Sequence, residues 1–266
     1  MSAAAVPAPR PRRRWIWVIV AVLTALVAVP PFALRIWLKA DIQHETAQVP
    51  VAARPVTALQ VDSPGGSVDI SQGPGRHITM SSTAAWLVRK PVVVQAWHGD
   101  TLQVRAVCPG RDPFEDCQES LVVQVPAGVA VQVDVGSGSV SAQGLTSPLH
   151  LAATSGAFML ADVRGPVWAS VTSGSMTAQG LGSARLHASA GSGALALNFA
   201  TPPQLLALTV GSGSASVFVP AGTRYRVSVR ARGGAVHLQP GLGGGTSAQV
   251  IRAAVGSGSL EVWYPA

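Results

Sequence analysis

The chain of 266 residues is poor in charged side chains, and acids are the scarcest of them. It holds twelve Asp and Glu in all, and beyond Asp134 only Asp162 and Glu261 remain. Hydrolases that use paired carboxylates need two acids in one cleft. The sequence also lacks a Gly-x-Ser-x-Gly nucleophile elbow and a glycine-rich loop closed by Gly-Lys-Ser/Thr. We therefore expect a protein that is not an enzyme and has no cofactor, metal or small-molecule substrate.

Cysteine is almost absent, and the two that occur, Cys108 and Cys117, lie close together. Two thiols in an exported domain, joined by a short loop with turn residues, are predicted to form a disulfide. A two-cysteine metal site is disfavoured because no histidine is near. The loop region also carries acidic residues, which fit either an exposed acidic loop or a calcium site. These acids are Asp112, Glu115, Asp116 and Glu119.

The positive charge of the chain is concentrated at its beginning. Residues 1–40 hold six of the nineteen Lys and Arg and none of the twelve acids, which leaves thirteen basic and twelve acidic residues for the rest. The formal net charge of +7 therefore describes the N-terminus and not a nucleic-acid surface. We expect no nucleic-acid partner.

A long apolar segment follows the basic start. Residues 15–34 are uncharged and mostly apolar, with Trp15, Trp17 and Trp37 near the two ends. About twenty residues at 1.5 Å rise match a hydrocarbon core of about 30 Å. We predict a basic cytoplasmic tail over 1–14 and one transmembrane helix over 15–37, and the arginines before it favour an N-terminus inside and a C-terminal domain outside. A cleaved signal peptide is the alternative.

Three further segments follow the predicted helix. Residues 38–57 contain Pro50 and Pro55 and little apolar periodicity, which predicts a stalk. Residues 58–130 read as a first rung followed by a β cap, in which 92–97 and 101–107 form a hairpin. Residues 131–266 carry the repeats described next.

A small-residue signature recurs about every twenty residues through the rest of the chain. Its first full copy is Val135-Gly136-Ser137-Gly138-Ser139-Val140, and a degenerate copy lies at 64–68. Repetition at a fixed spacing is typical of stacked structural units that share a core. Glycine accepts a bulge or a positive φ, so we assign it to a chain corner in every copy. The corner glycines are Gly66, Gly138, Gly156, Gly174, Gly193, Gly213, Gly234 and Gly258.

Apolar residues alternate on both sides of each corner. In the first full copy they are Val131, Val133 and Val135 before the corner and Val140 and Ala142 after it. Alternation with period two is typical of a strand with one buried face. The sequence predicts an all-β fold, a single-stranded β-solenoid of about seven or eight Gly-cornered rungs with an N-terminal β cap. An antiparallel sandwich of the same strands is the alternative.

Two sets of outward positions are candidate interaction residues. His150, Trp168 and His187 occupy one outward position in three successive copies, which fits a stacked ladder or a recognition strip. At about 4.8 Å per rung the two histidines lie too far apart to share one metal ion. Four arginines also cluster, and they fit either a solvated strand face or a patch for anionic polymer or lipid headgroups. They are Arg224, Arg226, Arg230 and Arg232.

The run from Leu121 to Val140, LVVQVPAGVAVQVDVGSGSV, is followed by further Ser-Gly copies, and Val219-Pro-Ala-Gly222 repeats one of its elements. This pattern resembles the bacterial "putative adhesin" family, a domain of unknown function built of β-strand repeats, over about residues 58–266. The resemblance implies an exported or membrane-anchored protein with a role in adhesion, and it brings no catalytic residues. Family members often have Asp after the corner glycine, where this chain has Ser or Ala.

Together these features predict a single-pass protein of the cell membrane that displays a non-catalytic, adhesin-like β-repeat domain outside. Its expected partners are the membrane and an envelope protein or cell-wall component. The alternative is a regulatory or sensor subunit of an envelope-stress or signalling system. The tail of about fourteen residues is too short to fold alone, so signalling would require a partner helix in the membrane.

Overall fold

A computed structural model describes residues 43–86, 90–107 and 117–264, and strands are the regular elements there. The all-β prediction is confirmed for this part of the chain. The strands are β1 (Gln43–Val49), β2 (Ala58–Ser63), β3 (Ser67–Gln72), β4 (Thr79–Trp86), β5 (Val92–His98), β6 (Thr101–Val107), β7 (Cys117–Val125), β8 (Ala130–Val135), β9 (Ser139–Gln143), β10 (Leu149–Ala153), β11 (Ala157–Ala161), β12 (Val167–Val171), β13 (Ser175–Leu181), β14 (Arg185–Ala190), β15 (Ala194–Phe199), β16 (Leu205–Val210), β17 (Ser214–Phe218), β18 (Arg226–Ala231), β19 (Ala235–Leu238), β20 (Val250–Val255) and β21 (Ser259–Trp263).

Several expectations from the sequence concern residues outside these ranges. The tail (1–14) and the predicted membrane helix (15–37) lie outside the described residues, as do Cys108 and the acids Asp112, Glu115 and Asp116. The predicted disulfide therefore stays a prediction. Within the described ranges, no helix has the length and hydropathy needed to cross a bilayer.

The strands form two sheets. Sheet A has eleven strands in the order β1-β4-β7-β3-β9-β11-β13-β15-β17-β21-β19, and sheet B has ten in the order β18-β20-β16-β14-β12-β10-β8-β2-β6-β5. Each copy of the repeat gives its first strand to sheet B and its second to sheet A, so eight strand pairs bridge the two sheets. Neighbouring repeat strands pair in parallel, as Leu151 with Ala169 and Phe158 with Met176. This pairing excludes the antiparallel sandwich.

The core lies between the sheets. The positions predicted to point inward are buried from Val131 to Val217, with side chains such as Val133, Leu149 and Leu186 fully enclosed. Because side chains alternate along a strand, every second residue is left on an outer face. The core thus fixes which residues are presented to solvent.

Spatial order departs from chain order at both ends of the stack. In sheet B, β2 pairs directly with β8, and in sheet A, β3 pairs directly with β9. The predicted hairpin β5–β6 is confirmed as antiparallel and follows β2 at the edge of sheet B, while β7 follows β3 in sheet A. At the other end, β20 and β21 lie between the pair β16–β17 and the pair β18–β19. The end strands are therefore β18 and β19, and their inward residues Val227, Val229, Val236 and Leu238 are only partly buried.

The predicted stalk requires a correction. Gln43–Val49 forms β1, which lies beside β4 at the edge of sheet A. Side chains of His44 to Gln48 are exposed, so the segment has no buried apolar positions to reveal a strand in the sequence. Thr46 Oγ1 lies 3.0 Å from Thr83 Oγ1, and Lys90 pairs with Glu45 at 2.6 Å.

Glycine is needed at the corners mainly because the backbones of stacked copies approach each other closely, and less because of its backbone conformation. Of the eight, only Gly66 has a positive φ, at 107°. A Cβ on Gly138 would overlap the carbonyl oxygen of Gly66, and a Cβ on Gly213 would overlap that of Gly193. These carbonyls accept backbone hydrogen bonds from the next copy, for example from Ser139 N to Gly66 O at 3.1 Å. Stacked corners therefore leave no room for a side chain.

Candidate binding groove on the outer face of sheet B

Three aromatic rings stand in a row on the outer face of sheet B. Parallel register places His150 beside Trp168 and Trp168 beside His187. The ring centroids of His150 and Trp168 lie 4.5 Å apart with planes at 5°, and those of Trp168 and His187 lie 5.9 Å apart at 7°. An imidazole therefore lies on each side of the indole, nearly parallel to it. The structure brings together the three residues that the sequence singled out.

Small side chains occupy the next outward position of the same strands. Ala152 pairs with Ser170, Ser170 with Ser189, and Ser189 with Thr209. Ser189 Oγ donates a hydrogen bond to Ser170 Oγ at 3.0 Å. Because these side chains are short beside the rings, they form the floor of a groove of about 840 Å³ on sheet B, which we call the ring groove.

The ring groove crosses seven neighbouring strands, from β8 to β18. At a strand spacing of about 4.8 Å its ends are about 29 Å apart. One end is formed by Gln132 and Asp134, and Gln132 Nε2 donates to Asp134 Oδ2 at 2.9 Å. The other end is formed by Arg252 and Arg230.

The charged side chains at the two ends of the ring groove differ in their partners. Asp134 accepts the hydrogen bond from Gln132, and Asp62 on the neighbouring β2 pairs with Arg105 at 2.8 Å. Arg230 and Arg252 are exposed and make no ion pair with any described residue. The groove therefore offers uncompensated positive charge at the β18–β20 end.

The predicted arginine cluster is only partly in this site. All four arginines are exposed, but Arg230 alone lines the ring groove. Arg226 lies at the other end of β18, while Arg224 and Arg232 lie outside the strand. Arg252 was missed by sequence reasoning, because it is adjacent to β18 only through the crossed order of the last two strand pairs. Its outward position in the last copy was the one available signal.

Two buried titratable side chains lie outside the groove. The sequence grouped Glu119 with the acids of an exposed loop or a calcium site, whereas the structure buries it in β7, and Tyr225 was missed. Glu119 is 3% exposed, and Ser82 Oγ donates to its Oε1 at 2.8 Å, while Oε2 has no partner among the described residues. Burial raises the pKa of this carboxyl above its usual range, and the hydrogen bond from Ser82 opposes that shift. Tyr225 is fully buried beside β18, and burial, aided by Tyr264, raises the pKa of its hydroxyl to about 12.

The outer face of sheet A is different in composition. Its repeat strands present residues such as Ser141, Thr177 and Ser216, with Glu261 near one end. Among the described residues, no group of three or more His, Cys, Asp or Glu is placed to hold a metal ion on either face. Sheet A also carries one stacked ring pair, His237 and Trp263, with centroids 5.6 Å apart. The ring groove combines a row of three rings with hydroxyl side chains and the exposed Arg230 and Arg252.

No protein-family model and no curated protein matches this sequence. Solved structures of similar fold include a putative cell adhesion protein from Clostridium sporogenes, 11% identical with a TM-score of 0.40, which covers 84% of this chain and 100% of its own. A putative adhesin from Bacteroides fragilis is 13% identical with a TM-score of 0.44, covering 84% and 97%. A putative lipid binding protein from Parabacteroides distasonis is 12% identical with a TM-score of 0.45, covering 83% and 97%.

Proposed function

We propose that this protein is a membrane-anchored, extracytoplasmic and non-catalytic binding protein, an adhesin-like scaffold whose contact surface is the ring groove. The observation that carries the proposal is the convergence of the His150–Trp168–His187 stack with unpaired Arg230 and Arg252 in one exposed groove. Its partner is an envelope protein or cell-wall component outside the membrane.

The finer architecture belongs to the same proposal. Eight strand pairs, each linked in parallel to the next in space, support a β-solenoid in which each pair is one rung. In such a stack the same position of successive rungs forms a row, so a recognition strip needs only one suitable side chain per copy. The basic, apolar start of the chain supports a single membrane helix that holds this stack outside the cell membrane.

Anchoring and export are tested by fusing alkaline phosphatase, which is active only after export, behind Ala266 of the full chain. We expect phosphatase activity in the membrane fraction of intact cells. A cytoplasmic reporter at the same place, such as β-galactosidase, should be inactive. Activity of the cytoplasmic reporter alone would reject the exported topology.

Binding is tested by sedimentation of envelope fragments with the full chain in phosphatidylcholine nanodiscs. The variant W168A/R252Q removes the central ring and one unpaired charge, whereas T177A/Q179A makes two changes on the outer face of sheet A. We expect the first variant to lose co-sedimentation and the second to retain it. Equal retention by both variants would reject the ring groove as the contact surface.

A further inference from the structure

The shape of the ring groove selects a long, thin ligand. It crosses seven strands yet encloses only about 840 Å³, so a globular surface would touch only its rims. The strands from β8 to β20 are each paired on both sides, so their backbone groups are already used. A peptide cannot bind there by adding a strand to the sheet, and recognition must come from side chains.

The charges select a ligand with acidic groups. Arg230 and Arg252 have guanidinium donors without an acidic partner in the described structure, and guanidinium groups pair well with carboxylate or phosphate. The far end carries the carboxylate of Asp134, which accepts a hydrogen bond from the neutral amide of Gln132 and lies about 29 Å from β18. The two guanidinium charges are therefore well separated from the one acid that lines the groove and are localised at its β18–β20 end.

The hydroxyl groups on the floor of the ring groove favour a polyhydroxyl ligand over a lipid. Ser170, Ser189 and Thr209 offer hydroxyls in successive strands, at a repeat similar to that of an extended sugar chain. The large apolar side chains that are exposed in the described structure, such as Met159 and Phe218, lie outside the groove. The outward apolar residues of the groove are the small side chains of Ala152, Ala207 and Ala254, so no large aliphatic side chain is available there to an acyl chain.

Resting on the function proposed above, we propose that the ring groove binds a linear acidic polysaccharide. The chain runs across the strands, its hydroxyls contact the Ser and Thr floor and the ring edges, and its carboxylates pair with Arg230 and Arg252. Because His150 and His187 flank the indole of Trp168 on both sides, sugars meet the edge of the ring stack.

The test uses polygalacturonate, a linear polymer with one carboxylate per sugar, and its fully methyl-esterified form, which keeps the backbone and removes the charge. Binding is measured by biolayer interferometry with the full chain in phosphatidylcholine nanodiscs. We expect the acidic polymer to bind at least about tenfold more tightly than the ester, as removal of charge-assisted hydrogen bonds implies. Equal binding of the two polymers would overturn the assignment.

Matched variants locate the site. R230Q/R252Q should weaken binding of polygalacturonate by about tenfold or more, whereas R224Q/R232Q, which removes the same charge outside the groove, should change it less than about twofold. Thermal unfolding followed by circular dichroism verifies that both variants fold. Equal loss in both variants, or binding to phosphatidylcholine vesicles doped with phosphatidylglycerol but not to the polymer, would overturn the inference.

The outcomes separate this inference from the function on which it rests. If polygalacturonate does not bind while envelope fragments still sediment with the wild type and not with W168A/R252Q, the ligand class is wrong and the binding function stands. If the polymer binds through Arg230 and Arg252 while the reporter fusions show a cytoplasmic domain, the groove assignment stands and the exported function is wrong.

Discussion

The outer faces of sheets A and B are built by the same copies on the same backbone period, yet they differ in chemistry. Sheet B presents three stacked rings and two unpaired arginines in a groove. Sheet A presents mainly small and polar side chains from Ser139 onward, with one acid, Glu261, and one stacked ring pair, His237 and Trp263, near one end. Packing dictates the inward residues of both sheets alike, so the difference arises where the fold leaves the side chain free. The packing of the core therefore does not by itself explain the outer residues of sheet B.

The largest loss of unfolding free energy should come from a substitution at a corner glycine, because the corners join the strands of both sheets. A side chain on Gly213 would overlap the carbonyl oxygen of Gly193, and the stacked corners cannot separate without losing hydrogen bonds. We expect Gly213→Val to lower the free energy of unfolding by more than about 4 kcal/mol, measured by chemical denaturation. The control is Gly233→Ala, since a Cβ on Gly233 meets no atom within 4 Å. Equal stability of the two variants would contradict the stacked-corner account.

Truncating side chains to Ala in sheet A should distinguish inward from outward positions by the loss of unfolding free energy. Leu195 is 2% exposed, whereas Thr177 on the neighbouring β13 is exposed. We expect Leu195→Ala to cost about 2–5 kcal/mol and Thr177→Ala less than about 0.5 kcal/mol in unfolding free energy. A similar cost at both positions would show that sheet A does not have one buried and one free face.

The buried acid should give stability a dependence on pH. The pKa of Glu119 is raised above its usual value of 4.5, so the folded protein holds this proton more tightly than the unfolded chain. Its contribution to stability is fully present below pH 4.5 and is lost as the pH rises through the raised pKa. Glu119→Gln should flatten this part of the pH profile of thermal unfolding, whereas Glu261→Gln, on the exposed face of sheet A, should leave it unchanged. An identical slope in E119Q and the wild type would contradict the prediction.

The ring stack should contribute less to the free energy of unfolding than the corner glycines and the core. Trp168 is half-buried on the outer face, and stacked aromatic pairs contribute about 0.5–1.5 kcal/mol each. We expect Trp168→Ala to lower the free energy of unfolding by about 1–3 kcal/mol while removing binding of envelope fragments. Full binding by this variant would show that the rings serve stability alone.

The buried positions could be predicted from the sequence because the alternation that buries them is a local pattern along each strand. Alternation identified Val131, Val133 and Val135 as inward, and a fixed period placed His150, Trp168 and His187 in one row. The crossed order of the last two strand pairs could not be predicted, because both pairs carry the same pattern. That order brings Arg252 beside β18, so half of the charged end of the groove was missed. The corner glycines lie between the two strands of each pair, and the need for close approach emerged only from the stacked corners.

The most direct test of the account is photo-crosslinking in intact cells, with a photoreactive residue at Ser170 in the ring groove of sheet B or at Thr177 on sheet A of the full chain. Both positions lie on outer faces of consecutive strands of the same copy, β12 and β13. The account predicts capture of an envelope or cell-wall component from Ser170 and none from Thr177. Equal capture from both positions, or capture from Thr177 alone, would contradict the claim that sheet B carries the binding face.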